Sequence, residues 1–253
     1  MGAKLKRYFL YFSYKGTNYH GWQKQNNAHT VQAELEKALY TILREEIPVT
    51  GAGRTDAGVH AKYMVAHFDF SDRIDDKDKF VGRLNRVLPA DIAVTKIIEV
   101  NSDAHARFDA ISRTYKYYIS LKKNPFSPEL YTSINFKLDI DLMNKAASLL
   151  LDTSDFASFC KLHSNNKNTL STVTYAKWEE INNSLIFTIT ANRFLRDMVR
   201  SIVGTLIDVG RKKISIADFQ KIINSKDRRE AGMSAPANGL FLEKIEYPKT
   251  ILL

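Results

Sequence analysis

The chain has 253 residues, 44% of them hydrophobic and 11% aromatic, enough for one large domain or two small ones with a real core. Its 37 Lys and Arg against 28 Asp and Glu leave a formal charge of +9, which points to a polyanionic partner, nucleic acid before others. No apolar run reaches the roughly 18 residues of a membrane span, the segment Met1-Gly2-Ala3-Lys4-Leu5-Lys6-Arg7 lacks the apolar stretch of a signal peptide, and the single cysteine, Cys160, excludes an intrachain disulfide and fits a reducing, cytoplasmic setting.

In chain order, residues 7–14 read as an aromatic-rich strand with Tyr8, Leu10 and Phe12 on one face. A helix is expected from about Val31 to Glu46, with the stripe Leu35, Ala38, Leu39, Ile42 and Leu43 and with Thr30 as its N-cap. Residues 64–70 alternate as a strand, 72–79 form a charged, solvated loop or helix start, and 92–100 form another strand. The second half opens with a Tyr- and Ile-rich strand over 112–121 and continues with a helix over about 141–151. Strands near 172–181 and 184–190 follow, joined by a turn at Asn182-Asn183. A long helix is expected from about Arg193 to Val209, ending at Gly210 as a C-cap, then a short helix near 216–223 and a last strand near 239–247. Two successive strand–helix–strand–strand sets predict two similar α+β halves sharing a sheet, residues 1–108 and 109–253. Residues 1–108 carry 16 basic and 13 acidic side chains and the remainder 21 and 15, so the positive excess is +3 in the first part and +6 in the second.

The stretch Gly51-Ala52-Gly53-Arg54-Thr55-Asp56-Ala57-Gly58-Val59-His60-Ala61 packs three glycines around one carboxylate and one guanidinium. Glycines permit positive φ and close approach of another molecule, so Asp56 reads as a carboxylate whose surroundings are controlled. The bland alternative is a tight loop between strands. Further on, Arg193, Arg196 and Arg200 are spaced to share one face of the expected helix. A solvated basic face is the simpler reading, but Arg200 lies within the apolar run Met198-Val199-Arg200-Ser201-Ile202-Val203. An arginine there is costly without an anion, and Asp56 would serve. In Ser112-Arg113-Thr114-Tyr115-Lys116-Tyr117-Tyr118 the aromatics are either core or, for one tyrosine, a stacking surface for an unstacked base. The polar-aromatic loop from Tyr14 to Gln23 either grips RNA or caps the sheet.

Other chemistries find little support. There is no phosphate loop and no dinucleotide-binding glycine fingerprint. Cys160 and His163 lack further cysteines for a zinc site, and Asp56 with His60, even on one helix face, gives only two ligands. Cys160 reads as structural, and neither a metal nor an organic cofactor is expected.

These residues resemble the tRNA pseudouridine synthase A family. Gly53-Arg54-Thr55-Asp56-Ala57-Gly58-Val59-His60-Ala61 is similar to its signature, and Arg113-Thr114-Tyr115 to its tyrosine motif. Phe194-Leu195-Arg196-Asp197-Met198-Val199-Arg200 resembles its arginine helix, and Ala235-Pro236-Ala237-Asn238-Gly239-Leu240 its C-terminal motif. Tyr14-Lys15-Gly16 and His20-Gly21-Trp22-Gln23 match its opening segment. The resemblance implies the pseudouridine synthase fold, two ferredoxin-like α+β halves around a central, mostly antiparallel sheet, working as a homodimer. It implies isomerisation of uridine to pseudouridine at positions 38, 39 and 40 of the tRNA anticodon stem-loop. It makes Asp56 the catalytic carboxylate and Tyr115, Arg54 and Arg200 substrate-binding residues: Tyr115 under the base, Arg54 on the flipped nucleotide's place or phosphate, and Arg200 keeping Asp56 ionised. The reaction moves a glycosidic bond from N1 to C5 of one base, so no cofactor is implied. Competing readings are a relative acting on another RNA site, a non-catalytic RNA-binding module, which leaves Asp56 unexplained, and a metal-dependent nucleic-acid hydrolase, for which no Asp/Glu pair at ligand spacing exists.

Overall fold

The computed structural model describes residues 5–123, 125–162 and 168–252. His163 and the first four residues, which entered the sequence reading, lie outside them. The chain divides into two compact units, Met1–Ile111 with Leu242–Leu253, and Ser112–Phe241.

The first unit runs β1 (Lys6–Tyr14), α1 (Val31–Leu43), the two-residue β2 (Thr50–Gly51), β3 (His60–Phe70), α2 (Lys77–Val87) and β4 (Ile92–Val100). β1 pairs antiparallel with both β3 and β4, and β2 pairs with β3. The expected face of Tyr8, Leu10 and Phe12 is buried, but so are Phe9 and Tyr11 on the other face, which makes this strand a core element on both sides. Helix α1 stops three residues earlier than expected because Arg44 takes a left-handed conformation (φ 60°). Thr30 sits at its N-cap without a side-chain capping bond; its hydroxyl is buried and has no partner. The charged stretch expected as loop or helix start supplies the beginning of α2: Asp76 caps the helix by accepting from the Lys79 N–H at 2.8 Å. α2 packs on β4, and Asn85 locks the two together, donating to the Val94 carbonyl and accepting from the Val94 N–H, both at 2.8 Å.

The second unit runs β5 (Ser112–Ser120), the two-residue β6 (Thr132–Ser133), α3 (Ile140–Ser148), β7 (Val173–Ile181), β8 (Ser184–Ala191), α4 (Met198–Gly210) and α5 (Ile216–Ser225). The last strand, β9 (Leu240–Glu246), crosses from this unit into the first. β8 pairs antiparallel with β5 and β7, and the short β6 runs parallel to its neighbour β5. Asn182 and Asn183 both take positive φ (50° and 60°), the geometry a two-residue hairpin turn needs. α3 packs on β7, α4 and α5. Asn144 of α3 brackets Trp178 of β7, donating to its carbonyl and accepting from its N–H, as Asn85 does in the first unit.

Two expectations about α4 are corrected. The helix begins at Met198, not Arg193, because Asp197 stands in the left-handed region (φ 66°) and interrupts any helix passing through it. Arg193 and Arg196 therefore precede the helix, and the three arginines do not form a stripe. Gly210 is the last helical residue and not a left-handed cap; Lys212 takes the positive φ. A Cβ on Gly210 would come within 2.5 Å of the Met143 sulfur, so its smallness serves packing against α3.

In the first unit, buried His67 accepts a hydrogen bond from the Ala106 N–H at its Nδ1 (3.1 Å) and packs edge-on against His105 at 4.6 Å. Burial, then nearby Arg7 and His105, lowers its pKa from 6.5 to about 4. The unfolded chain thus binds a proton between those values that the folded chain refuses. The stability carried by neutral His67 is present in full above pH 6.5 and declines as the pH falls towards 4. In His67→Asn, which keeps an acceptor for Ala106, the loss of stability between pH 6.5 and 4 is expected to be smaller than in the parent, measured by urea unfolding across that range; parallel curves would refute this role.

Candidate functional site

In the first unit the Asp56 loop is irregular backbone, so its polar groups need partners from elsewhere. The segment Tyr14–Trp22 supplies them. The Trp22 N–H donates to the Thr55 carbonyl (3.2 Å), and the Gly58 N–H donates to the Tyr19 carbonyl (3.3 Å). The Tyr14 and Thr55 hydroxyls share a hydrogen bond of 2.9 Å, and the Gly16 N–H donates to His60 Nδ1 at 3.0 Å. The approach is close enough to need a missing side chain. Gly21 has φ +90°, and a Cβ there would stand 2.4 Å from the Thr55 carbonyl oxygen. The loop from Tyr14 to Gln23, which sequence left between gripping RNA and capping the sheet, packs on the backbone of the Asp56 loop.

The clamping segment is itself anchored. Tyr19 donates a 2.5 Å hydrogen bond to Asp91, and the Lys15 N–H donates to the Asp91 carbonyl at 2.9 Å. Burial and this bond raise the Tyr19 pKa well above its ordinary value. Trp22 packs on Phe12 of β1 and on Gly51, where a Cβ would come within 2.5 Å of the indole.

Held this way, Asp56 is half-buried and Arg54 is exposed, while Thr55 between them is buried. Of the loop's three glycines only Gly58 takes positive φ (77°); it sits in a turn closed by the Val59 N–H donating to the Asp56 carbonyl at 3.1 Å. Residues 56–60 are not helical, so Asp56 and His60 share no helix face; His60 is buried at the start of β3.

In the second unit, Tyr115 lies on β5 opposite Ile189 of β8, partly exposed, with Phe194 edge-on at 5.0 Å. Its neighbour Tyr117 is core: fully buried, with its hydroxyl donating to the Pro236 carbonyl at 2.8 Å and its pKa pushed up to about 12 by burial. Arg200 is the third residue of α4, and its Nη1 lies 3.2 Å from the Asp197 carboxylate. One anion for this arginine is therefore present within its own unit. The i, i+3 spacing of Asp197 and Arg200 was the sequence signal for this pair. Ala235 binds Arg200 twice, accepting from its Nε at 2.7 Å and donating its own N–H to the Arg200 carbonyl at 2.9 Å. The segment 231–239 lies along α4 so closely that a Cβ on Gly204 would stand 1.7 Å from the Met233 carbonyl oxygen. The C-terminal motif thus builds the surroundings of Arg200, a role its apolar composition did not reveal.

Among the described residues no helix is long and apolar enough to cross a membrane, and no three His, Cys, Asp or Glu side chains converge as a metal-binding group. Cys160 is buried.

Two α+β units with largely antiparallel pairing are the class of fold seen here; the first carries Asp56 on a clamped turn, and the second carries Arg200 at a helix start. A family model described as tRNA pseudouridine synthase matches residues 11–109 and 146–248; Tyr115 falls between the two segments. The chain is 53% identical over 248 residues to a tRNA pseudouridine synthase A of Bacteroides fragilis, with 98% of each chain covered. It is 49% identical over 247 residues to one of Parabacteroides distasonis, again with 98% of each covered. To one of Clostridium acetobutylicum it is 42% identical over 245 residues, covering 96% of this chain and 100% of the relative. The chain belongs to the tRNA pseudouridine synthase family.

The clamp on the Asp56 loop gives a paired prediction. Gly21→Ala is expected to destabilise by about 1–3 kcal/mol, through its positive φ and the collision with Thr55. Gly53→Ala, whose Cβ would meet nothing within 4 Å, should change stability by no more than about 0.5 kcal/mol. Urea unfolding of both variants checks the contrast, and equal effects would contradict the clamp.

Proposed function

We propose that this chain isomerises uridine to pseudouridine in tRNA, with Asp56 as the catalytic carboxylate. The observation that carries the reading is the half-buried Asp56 on a loop whose backbone is clamped from Tyr14 to Trp22, in a chain whose relatives named tRNA pseudouridine synthase A match it over nearly its whole length. The family resemblance implies positions 38, 39 and 40 of the anticodon stem-loop as targets, a homodimer that spreads one tRNA over two basic surfaces, and work in the cytoplasm.

The chemistry needs few groups. The C1′–N1 bond breaks, the uracil turns, a C1′–C5 bond forms, C5 loses its proton and N1 gains one. Asp56 serves as the carboxylate that attacks base or sugar, or that takes a sugar proton. Its fixed backbone keeps it aimed while the base turns. Tyr115, partly exposed with Phe194 edge-on at 5.0 Å, is the aromatic side chain suited to stacking on an unstacked base. Arg54, exposed beside Asp56, is suited to the phosphate or to the place left by a flipped nucleotide. Arg200 contributes an oriented guanidinium to substrate binding, which a lysine without the planar fork would replace poorly.

Purified protein is expected to release the C5 proton from uridine-labelled tRNA, with mapping of the modified positions identifying the target. Asp56→Asn should bring that release below detection while tRNA binding stays within a few-fold of the parent; turnover near the parent rate would sink the assignment. Binding measured across a salt series should weaken steeply as salt rises, because phosphate contacts release counterions. A flat response would argue against docking through the phosphates.

A further inference from the structure

Arg200 occupies an electrostatically awkward place. As the third residue of α4 it sits in the first turn, where unpaired N–H groups and the helix dipole already concentrate positive charge. Its side chain is only 22% exposed, so water screens it poorly. Asp197, the residue before the helix, offsets both effects with a carboxylate 3.2 Å from Nη1 and itself 14% exposed. To stand there its backbone takes φ 66°, a conformation that Asp tolerates better than most residues.

The carboxylate is held in turn. Its Oδ2 accepts a hydrogen bond from the Ser234 hydroxyl. The Ser234 oxygen accepts from Arg228 Nη2 at 2.9 Å, and Arg228 Nη1 donates to the carbonyls of Ala231 and Gly232 at 3.2 and 3.1 Å. The Gly232 N–H donates to Thr205 on α4 at 3.0 Å. The guanidinium of Arg200 thus donates a hydrogen bond from Nε to the Ala235 carbonyl and forms an ion pair at Nη1 with Asp197 Oδ1, a buried oxygen that accepts no hydrogen bond among the described residues, while polar contacts from Arg228 through Ser234 hold the carboxylate by Oδ2.

We propose that Asp197, backed by Ser234 and Arg228, is a positioning residue for pseudouridine formation that acts through Arg200. A guanidinium already oriented does not have to be ordered on the way from the bound complex to the transition state, so the benefit falls on turnover. The proposal rests on the reading of Arg200 as a substrate-binding residue, and the test separates the two. Asp197→Ala is expected to lower kcat about tenfold, the low end for losing a group that orients a site residue, with KM for tRNA unchanged within about twofold. Asp197→Asn, which suits the left-handed backbone and keeps an acceptor, should recover most of that loss. Ser234→Ala should fall in the same direction by a smaller factor.

The decisive measurement is the double variant. If Asp197 works through Arg200, then Asp197→Ala combined with Arg200→Ala turns over no more slowly than Arg200→Ala alone. Independent, multiplying effects would overturn the inference, as would Asp197→Ala at the parent rate. Arg200→Ala at the parent rate would instead overturn the reading of Arg200 itself. Circular dichroism and melting temperature accompany every variant; should Asp197→Ala fail to fold, Ser234→Ala takes its place in the cycle, with the same criterion of non-additivity.

Discussion

A loop that presents a reactive side chain has no ladder of its own, yet its N–H and C=O groups cannot be left unpaired where they are buried. That constraint shapes both units. The Asp56 loop satisfies it against Tyr14–Trp22, where Gly21 allows backbone to meet backbone. The 231–239 segment satisfies it against α4, with Gly204 allowing the approach and Thr205, Arg200 and Asp197 supplying polar partners. Rigid regular elements carry Tyr115 and Arg200, and the segments laid against them fix the Asp56 loop and the start of α4.

Charge follows the same economy. Where α4 begins, three features that would each be unfavourable alone stand together: a left-handed aspartate, a partly buried arginine, and a helix N-terminus. Together they compensate. The carboxylate answers the arginine and the helix dipole, and the interruption at Asp197 places the carboxylate where it can do so. In the first unit Arg7 and Asp69 form a comparable pair, with both guanidinium contacts at 2.8 Å; Arg7 helps keep His67 neutral, and Asp69 opposes it.

The regular frame was largely legible. Alternation and apolar stripes marked β1, β4, β7, β8 and α5 to within a residue or two, because burial of one face or one stripe is a local pattern. Asn182-Asn183 announced its turn for an equally local reason, since asparagine accepts positive φ. Helix ends were less legible. Asp197 is a residue type that often precedes a helix, but the residues from Arg193 onwards carry a periodicity that could continue a helix backwards past it. The break is made by partners distant in sequence, Ser234 and Ala235. The paired use of Asn85 and Asn144 to lock helices α2 and α3 to β4 and β7 was invisible for the same reason: one asparagine on a helix face reads as solvated until a strand lies beside it.

By itself the sequence determined the family, most of the longer strands and helices, and the identity of Asp56, Arg54, Tyr115 and Arg200 as candidates, because motif residues and periodicities are properties of neighbours along the chain; the short β2 and β6 and the body of α2 were not read from it. Only the tertiary structure decided what holds those residues in place. The clamp at Thr55, the hold of Ser234 on Asp197, the burial of Tyr117 next to a half-exposed Tyr115 and the neutrality of His67 all depend on groups tens of residues away. Hydrogen bonds and charges act over a few ångströms, and only folding brings such groups within that range.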